Sequence, residues 1–149
     1  MSTLTVTKHI NAPPEVVFDL MTDIPHHAEN ISAIERIEML TDGPVGVGTR
    51  FRETRIMFGK ETTEEMEVTG FQTPKRFTLE SDSCGCHYTV LHELTPEKAG
   101  TLVKMEFHMQ PKTFFAKLFS PLGKLMEGKI RSLLDTDLEE LKERAEGAS

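Results

Sequence analysis

The sharpest chemical signal lies in two neighbouring segments. Phe51-Arg52-Glu53-Thr54-Arg55-Ile56-Met57 and Glu61-Thr62-Thr63-Glu64-Glu65-Met66 both alternate, and alternation sends successive side chains to opposite faces of a strand. One face of the first carries Phe51, Glu53, Arg55 and Met57, and one face of the second carries Thr62, Glu64, Met66 and Val68. A hairpin turning at Phe58 to Glu61 sets Arg55 opposite Glu64 and Glu53 opposite Met66, with Cβ atoms about 5 Å apart. Facing a cavity, Arg55 is a fixed cation that can hold a ligand carboxylate, carbonyl or enolate through paired N–H bonds. A partly desolvated Glu64 there can serve as a base. The alternative is a solvated ion pair on the outer face, contributing under about 1 kcal/mol. The phase shared with Phe51, Met57, Met66 and Val68 favours the inward face.

A second face collects Tyr88, Val90, His92 and Leu94. Its apolar neighbours turn His92 inward, where a neutral imidazole can donate to a ligand carbonyl or take part in proton transfer. A core histidine satisfied by a polar neighbour is the plainer reading. Tyr88 can place its hydroxyl in the same space or simply pack. Met57, Met66, Met105, Met109 and Met126 fall on inner faces, and flexible, polarisable methionines suit a deformable apolar pocket as well as an ordinary core. Candidate ligand-binding residues are therefore Glu53, Arg55, Glu64, Met66, Tyr88, His92, Met105 and Met126, with Glu64 and His92 the candidate catalytic groups.

Other clusters carry less. Cys84-Gly85-Cys86-His87 supplies three potential metal ligands, but a tetrahedral site wants a fourth and usually a C-x-x-C spacing. Strand geometry also turns Cys86 and His87 to opposite faces, so a Gly-centred turn with two ordinary thiols is expected, and no metal. His26-His27 reads as a solvated pair, since adjacent histidines cannot both enter one site. The chain contains no G-x-S-x-G, H-E-x-x-H, P-loop or Gly-rich dinucleotide motif, which argues against a hydrolase and implies no cofactor.

These side chains must be positioned by a chain of 149 residues, enough for one domain with a real core. A net charge of −7, with Lys and Arg scattered, argues against nucleic-acid binding. No apolar run reaches the roughly 20 residues that span a bilayer. Neither a basic segment nor an apolar signal core opens the chain, and two cysteines among 149 residues fit a reducing cytoplasm.

Leu4, Val6, Lys8 and Ile10 share one face of a first strand, Lys8 being the exception to its apolar character. Ala12-Pro13-Pro14-Glu15 opens a helix with proline where its missing N–H costs nothing, and Asp23-Ile24-Pro25 stops it before a second short turn over His26 to Asn30. Strands follow over Ile34 to Leu40, Thr49 to Phe58, Glu61 to Phe71, Arg76 to Ser81, Cys86 to Leu94 and Thr101 to Met109. Their short Gly- and Pro-containing connections imply antiparallel neighbours. From Thr113 the period becomes helical, with an apolar stripe running from Phe115 to Leu141. Ser120-Pro121 breaks it into a short helix over about Thr113 to Phe119 and a long one ending near Glu146.

This order resembles the START-like superfamily, also called the SRPBCC or Bet v 1-like group. The likeness rests on Ile10-Asn11-Ala12-Pro13-Pro14-Glu15-Val16-Val17-Phe18, Asp23, Gly46-Val47-Gly48-Thr49-Arg50-Phe51, Gly100-Thr101 and the terminal helix, and within the group it looks most like polyketide cyclase/dehydrase-like proteins. The resemblance implies an α+β helix-grip fold: a curved antiparallel sheet of six to seven strands around a long C-terminal helix, two short helices after the first strand, and a hydrophobic pocket beneath the long helix. It also implies three classes of function. The first is binding of a small hydrophobic or amphipathic molecule between sheet and helix. The second is a cyclase or dehydratase with Glu64 or His92 as base and Arg55 steadying the enolate. The third is a protein-interaction module, and a homodimer is left open.

Overall fold

The computed structural model describes residues 2–57, 59–83, 85–114, 117 and 127–147. Its elements run β1 (Ser2–Ile10), α1 (Pro14–Thr22), a 3-10 turn (Ile24–His26), α2 (His27–Asn30), β2 (Ile34–Met39), β3 (Arg50–Met57), β4 (Lys60–Gln72), β5 (Arg76–Ser83), β6 (Cys86–Glu97), β7 (Gly100–Pro111) and α3 (Glu127–Gly147). The strands form one seven-stranded sheet in the order β1-β7-β6-β5-β4-β3-β2, every neighbouring pair antiparallel. β2 to β7 thus form a simple meander, and β1 returns to close its far edge against β7. This is the helix-grip α+β architecture expected from sequence.

Local chemistry explains the joints. Pro14 begins α1, and Val17, Phe18 and Met21 form its buried face. Where β1 ends, the Thr101 hydroxyl donates to the Ala12 carbonyl at 2.8 Å. A Cβ on Gly100 would stand 2.5 Å from the Ile10 carbonyl oxygen, so this close approach of two strands requires glycine. Gly48, at φ +96°, makes the turn into β3, where the Gly46 N–H donates to the Thr49 hydroxyl.

The sheet wraps α3, which at about 1.5 Å per residue is some 31 Å long over its 21 described residues. Leu138, Leu141 and Ala145 turn into the main core beside Val6, Ile10, Phe18, Met21 and Val103. Phe18 meets Phe71 and Phe77 edge-on, with ring centroids 5.2 and 5.8 Å away. Charged contacts fasten the margins of the helix. Lys8 reaches Asp135 at 3.0 Å and Glu139 at 2.9 Å, so the lysine that interrupts the apolar face of β1 ties that strand to α3. Ser32 donates to Glu140, and Arg144 to the Glu29 carbonyl. The short helix expected over about Thr113 to Phe119 and the bend at Ser120-Pro121 fall largely outside the described residues.

Candidate functional site

Between the concave face of the sheet and α3 lies a cavity of about 240 Å³. Alternation along β3 and β4 delivers Glu53, Arg55, Thr62, Glu64 and Met66 to its wall, and alternation along β5 and β6 delivers Leu79, Ser81, Tyr88, Val90 and His92. Met105 and Phe107 of β7 and Leu133 and Leu134 of α3 complete an apolar lining. Seven of the eight candidate residues therefore share one cavity wall; Met126 lies outside the described residues.

The polar partners differ from those expected. Met57 pairs with Lys60, so Glu53 stands opposite Glu64, Arg55 opposite Thr62 and Phe51 opposite Met66. The expected turn at Phe58 to Glu61 placed the register two residues away, which keeps every side chain on its face but changes its neighbour. Arg55 consequently does not pair with Glu64. Its Nε donates to Glu53 at 3.1 Å and its Nη2 to Asp137 of α3 at 3.0 Å. Asp137 is buried and Arg55 and Glu53 are largely so, their side chains 7, 13 and 11% exposed, so the arginine pins helix to sheet.

Asp137 is the residue that sequence reasoning missed. It lies four residues after Leu133, three after Leu134 and four before Leu141, on the helix face that meets the cavity, yet it sits in the acidic run at the chain's end. Its spacing from the leucines was the available signal. Burial pushes its carboxyl above the usual range, against the pull of Arg55. Burial likewise disfavours charge on Arg55, but Glu53 and Asp137 outweigh it and raise its pKa. Glu64 is pushed up by burial and by the like charge of Glu53, with Arg55 and a hydrogen bond to Ser83 acting the other way.

Histidines occupy another part of the wall. His92 is stacked on Phe77, centroids 4.0 Å apart and rings within 5° of parallel, and burial lowers its pKa to about 3. It is neutral at physiological pH. The backbone of Phe77 and Val90 lies close to its ring, but its Nδ1 is buried without a well-formed hydrogen bond, as is the Ser81 hydroxyl. The His26-His27 pair does not remain together in solvent. His26 stays outside on Asp23, whereas His27 is buried against the cavity and donates from Nε2 to the Met21 carbonyl at 2.8 Å. Burial lowers its pKa. Ile24 and Ile31, three before and four after, are both buried and mark that face. In the other cluster His87 bridges Asp82 and Glu80 at 2.8 Å each, and Cys84 lies outside the described residues. Among the described residues no group of three His, Cys, Asp or Glu side chains is arranged to hold a metal, and no helix is long and apolar enough to cross a membrane.

Known proteins share this architecture. The chain superposes on TTHA0849 from Thermus thermophilus with a TM-score of 0.80 at 23% identity, covering 99% of each chain. A START superfamily protein from Mycobacterium smegmatis matches with a TM-score of 0.79 at 14% identity, again over 99% of both. The di-domain ARO/CYC StfQ of the steffimycin biosynthetic pathway gives a TM-score of 0.80 at 12% identity, over 98% of this chain and 51% of that one. At such identities these likenesses speak for the fold alone. No curated protein matches the sequence. Residues 1–146 match the family model described as polyketide cyclase / dehydrase and lipid transport, and the chain belongs to that family.

Proposed function

We propose that this protein binds one small, largely apolar molecule in the hollow between sheet and α3, with the polar end of the molecule against the Arg55 cluster. The observation that supports this reading is the hollow itself: about 240 Å³ lined mainly by methionine, leucine, isoleucine and aromatic side chains, with a few charged groups centred on Arg55. A concave apolar chamber with a few convergent polar groups is the usual form of a ligand site. The family and fold fit a hydrophobic-ligand-binding or polyketide-cyclase-type protein. Within that range, binding is favoured because the charge of Arg55 is already met by two carboxylates. An arginine so neutralised is a poor stabiliser of a developing enolate.

The cyclase reading retains one specific support. Glu64 faces the cavity with its pKa raised, as a general base or acid requires. His92, held neutral down to about pH 3, is better suited to orienting a ligand than to accepting its proton. The binding reading is tested with the neutral fluorophore N-phenyl-1-naphthylamine. It should bind with one-to-one stoichiometry, and Val90→Phe should weaken it at least tenfold, about 1.4 kcal/mol, without lowering the melting temperature. Equal binding by both proteins would remove the cavity as its seat.

A further inference from the structure

Building on that cavity reading, we propose that the ligand presents its polar end to Glu64 as a protonated amine rather than as a carboxylate. The charges on one wall favour this. Around Arg55, Glu53, Glu64 and Asp137 set three carboxyl groups against one guanidinium, while Glu80, the fourth acid lining the cavity, is held by His87. Arg55 is bonded to Glu53 and Asp137. Glu64 stands directly across the ladder from Glu53, and among the described residues no cation lies within ion-pair distance of it. Like charges directly opposite on neighbouring strands repel. A carboxylate ligand would add a further negative charge to this wall, whereas an ammonium supplies the missing positive charge together with three donors to acceptor-only neighbours.

A metal ion is the other cation that three acids could take, but these side chains do not converge as metal ligands.

A second, independent feature indicates that the space awaits a polar molecule. His92 and Ser81 are 5 and 7% exposed, and both line the cavity with Nδ1 and Oγ buried and without a well-formed hydrogen bond. Buried polar atoms are bonded in the great majority of cases. Phe77 pairs with His92 and Ser81 with Tyr88, so the two orphans lie four residues apart along the ladder, about 13 Å at 3.3 Å per residue. Ser81 is the nearer to the acidic end, two positions from the Ser83 that hydrogen-bonds Glu64. An amine seated at Glu64 with an apolar body running along β5 and β6 passes both atoms, and each can take a hydroxyl or carbonyl carried on that body.

Three probes of one chain length separate the head groups: decylamine, decanol and decanoic acid, each displacing N-phenyl-1-naphthylamine from the full-length protein at neutral pH. Decylamine should act at concentrations at least tenfold lower than decanoate, with decanol between them. Glu64→Gln should shrink the amine's advantage about tenfold, while Asp42→Asn, an exposed acid far from this pairing, should leave it unchanged. Decanoate or decanol binding as tightly as decylamine, or a preference unaltered in Glu64→Gln, would overturn the amine assignment while leaving the cavity reading intact. Failure of the neutral fluorophore to bind at all would overturn the cavity reading and this assignment with it.

Discussion

Replacing Arg55 by methionine tests whether the ion cluster is truly interior. The change keeps an apolar stem in place but strips Glu53 and Asp137 of their shared partner. Those side chains are 11 and 7% exposed, so water cannot fully replace the guanidinium. Removing one partner of a buried ion pair costs about 3–5 kcal/mol. The loss should also depend on pH. Asp137 already has its pKa raised by burial against the pull of Arg55, so without Arg55 its folded value stands further above the unfolded one and it binds its proton more tightly when folded. Such groups cost stability at high pH, and the cost is relieved as pH falls through the raised folded value. The deficit of Arg55→Met should therefore be near its full size at about pH 7.5 and clearly smaller at about pH 5. Urea unfolding followed by circular dichroism at both values measures it. Asp137→Asn serves as the comparison and should cost less, because the amide oxygen still accepts from Arg55 and a carboxyl burdened by burial is removed. A deficit below about 1 kcal/mol, or one equal at both pH values, would show a solvent-screened pair and refute the reasoning.

Two further changes probe the cavity wall. His92 has its pKa lowered to about 3 by burial, below its unfolded value, so stability is complete above the unfolded pKa and lost as pH falls toward the folded one. That loss amounts to about 1.4 kcal/mol per pH unit below about 6.5, and His92→Phe, which can still stack on Phe77, should remove it from the pH profile of thermal melting. An unchanged slope would mean that His92 protonates freely in the folded protein. Ser81→Ala deletes a buried hydroxyl without a partner, a group whose desolvation costs about 1–3 kcal/mol. The ligand-free variant should melt higher by a few degrees, and a lower melting point would show that the hydroxyl is bonded after all.

Much of this was legible in the sequence because strand periodicity survives small errors. A two-residue misjudgement of the β3–β4 turn left Glu53, Arg55, Glu64 and Met66 on the cavity face, since side-chain direction repeats every second residue. Their pairing was lost, because partners depend on the actual turn, and here Met57 meets Lys60. Pro14, Gly100 and Thr101 carried the β1–α1 joint through chemistry that is local or nearly so. Asp137 and His27 were illegible for another reason. Each is a polar residue within a polar stretch, and its burial comes from the element across the cavity, which sequence spacing marks only faintly. Lys8 looked like a flaw in an apolar face until α3 supplied Asp135 and Glu139.

Occupancy of the hollow is the most direct test. With methyl groups of methionine, leucine and valine labelled, nuclear Overhauser contacts from bound decylamine should reach Met66, Leu79, Val90 and Met105, saturating at one molecule per chain. Contacts confined to exposed Val16, Val47 or Leu40, with the cavity methyls silent, would contradict it.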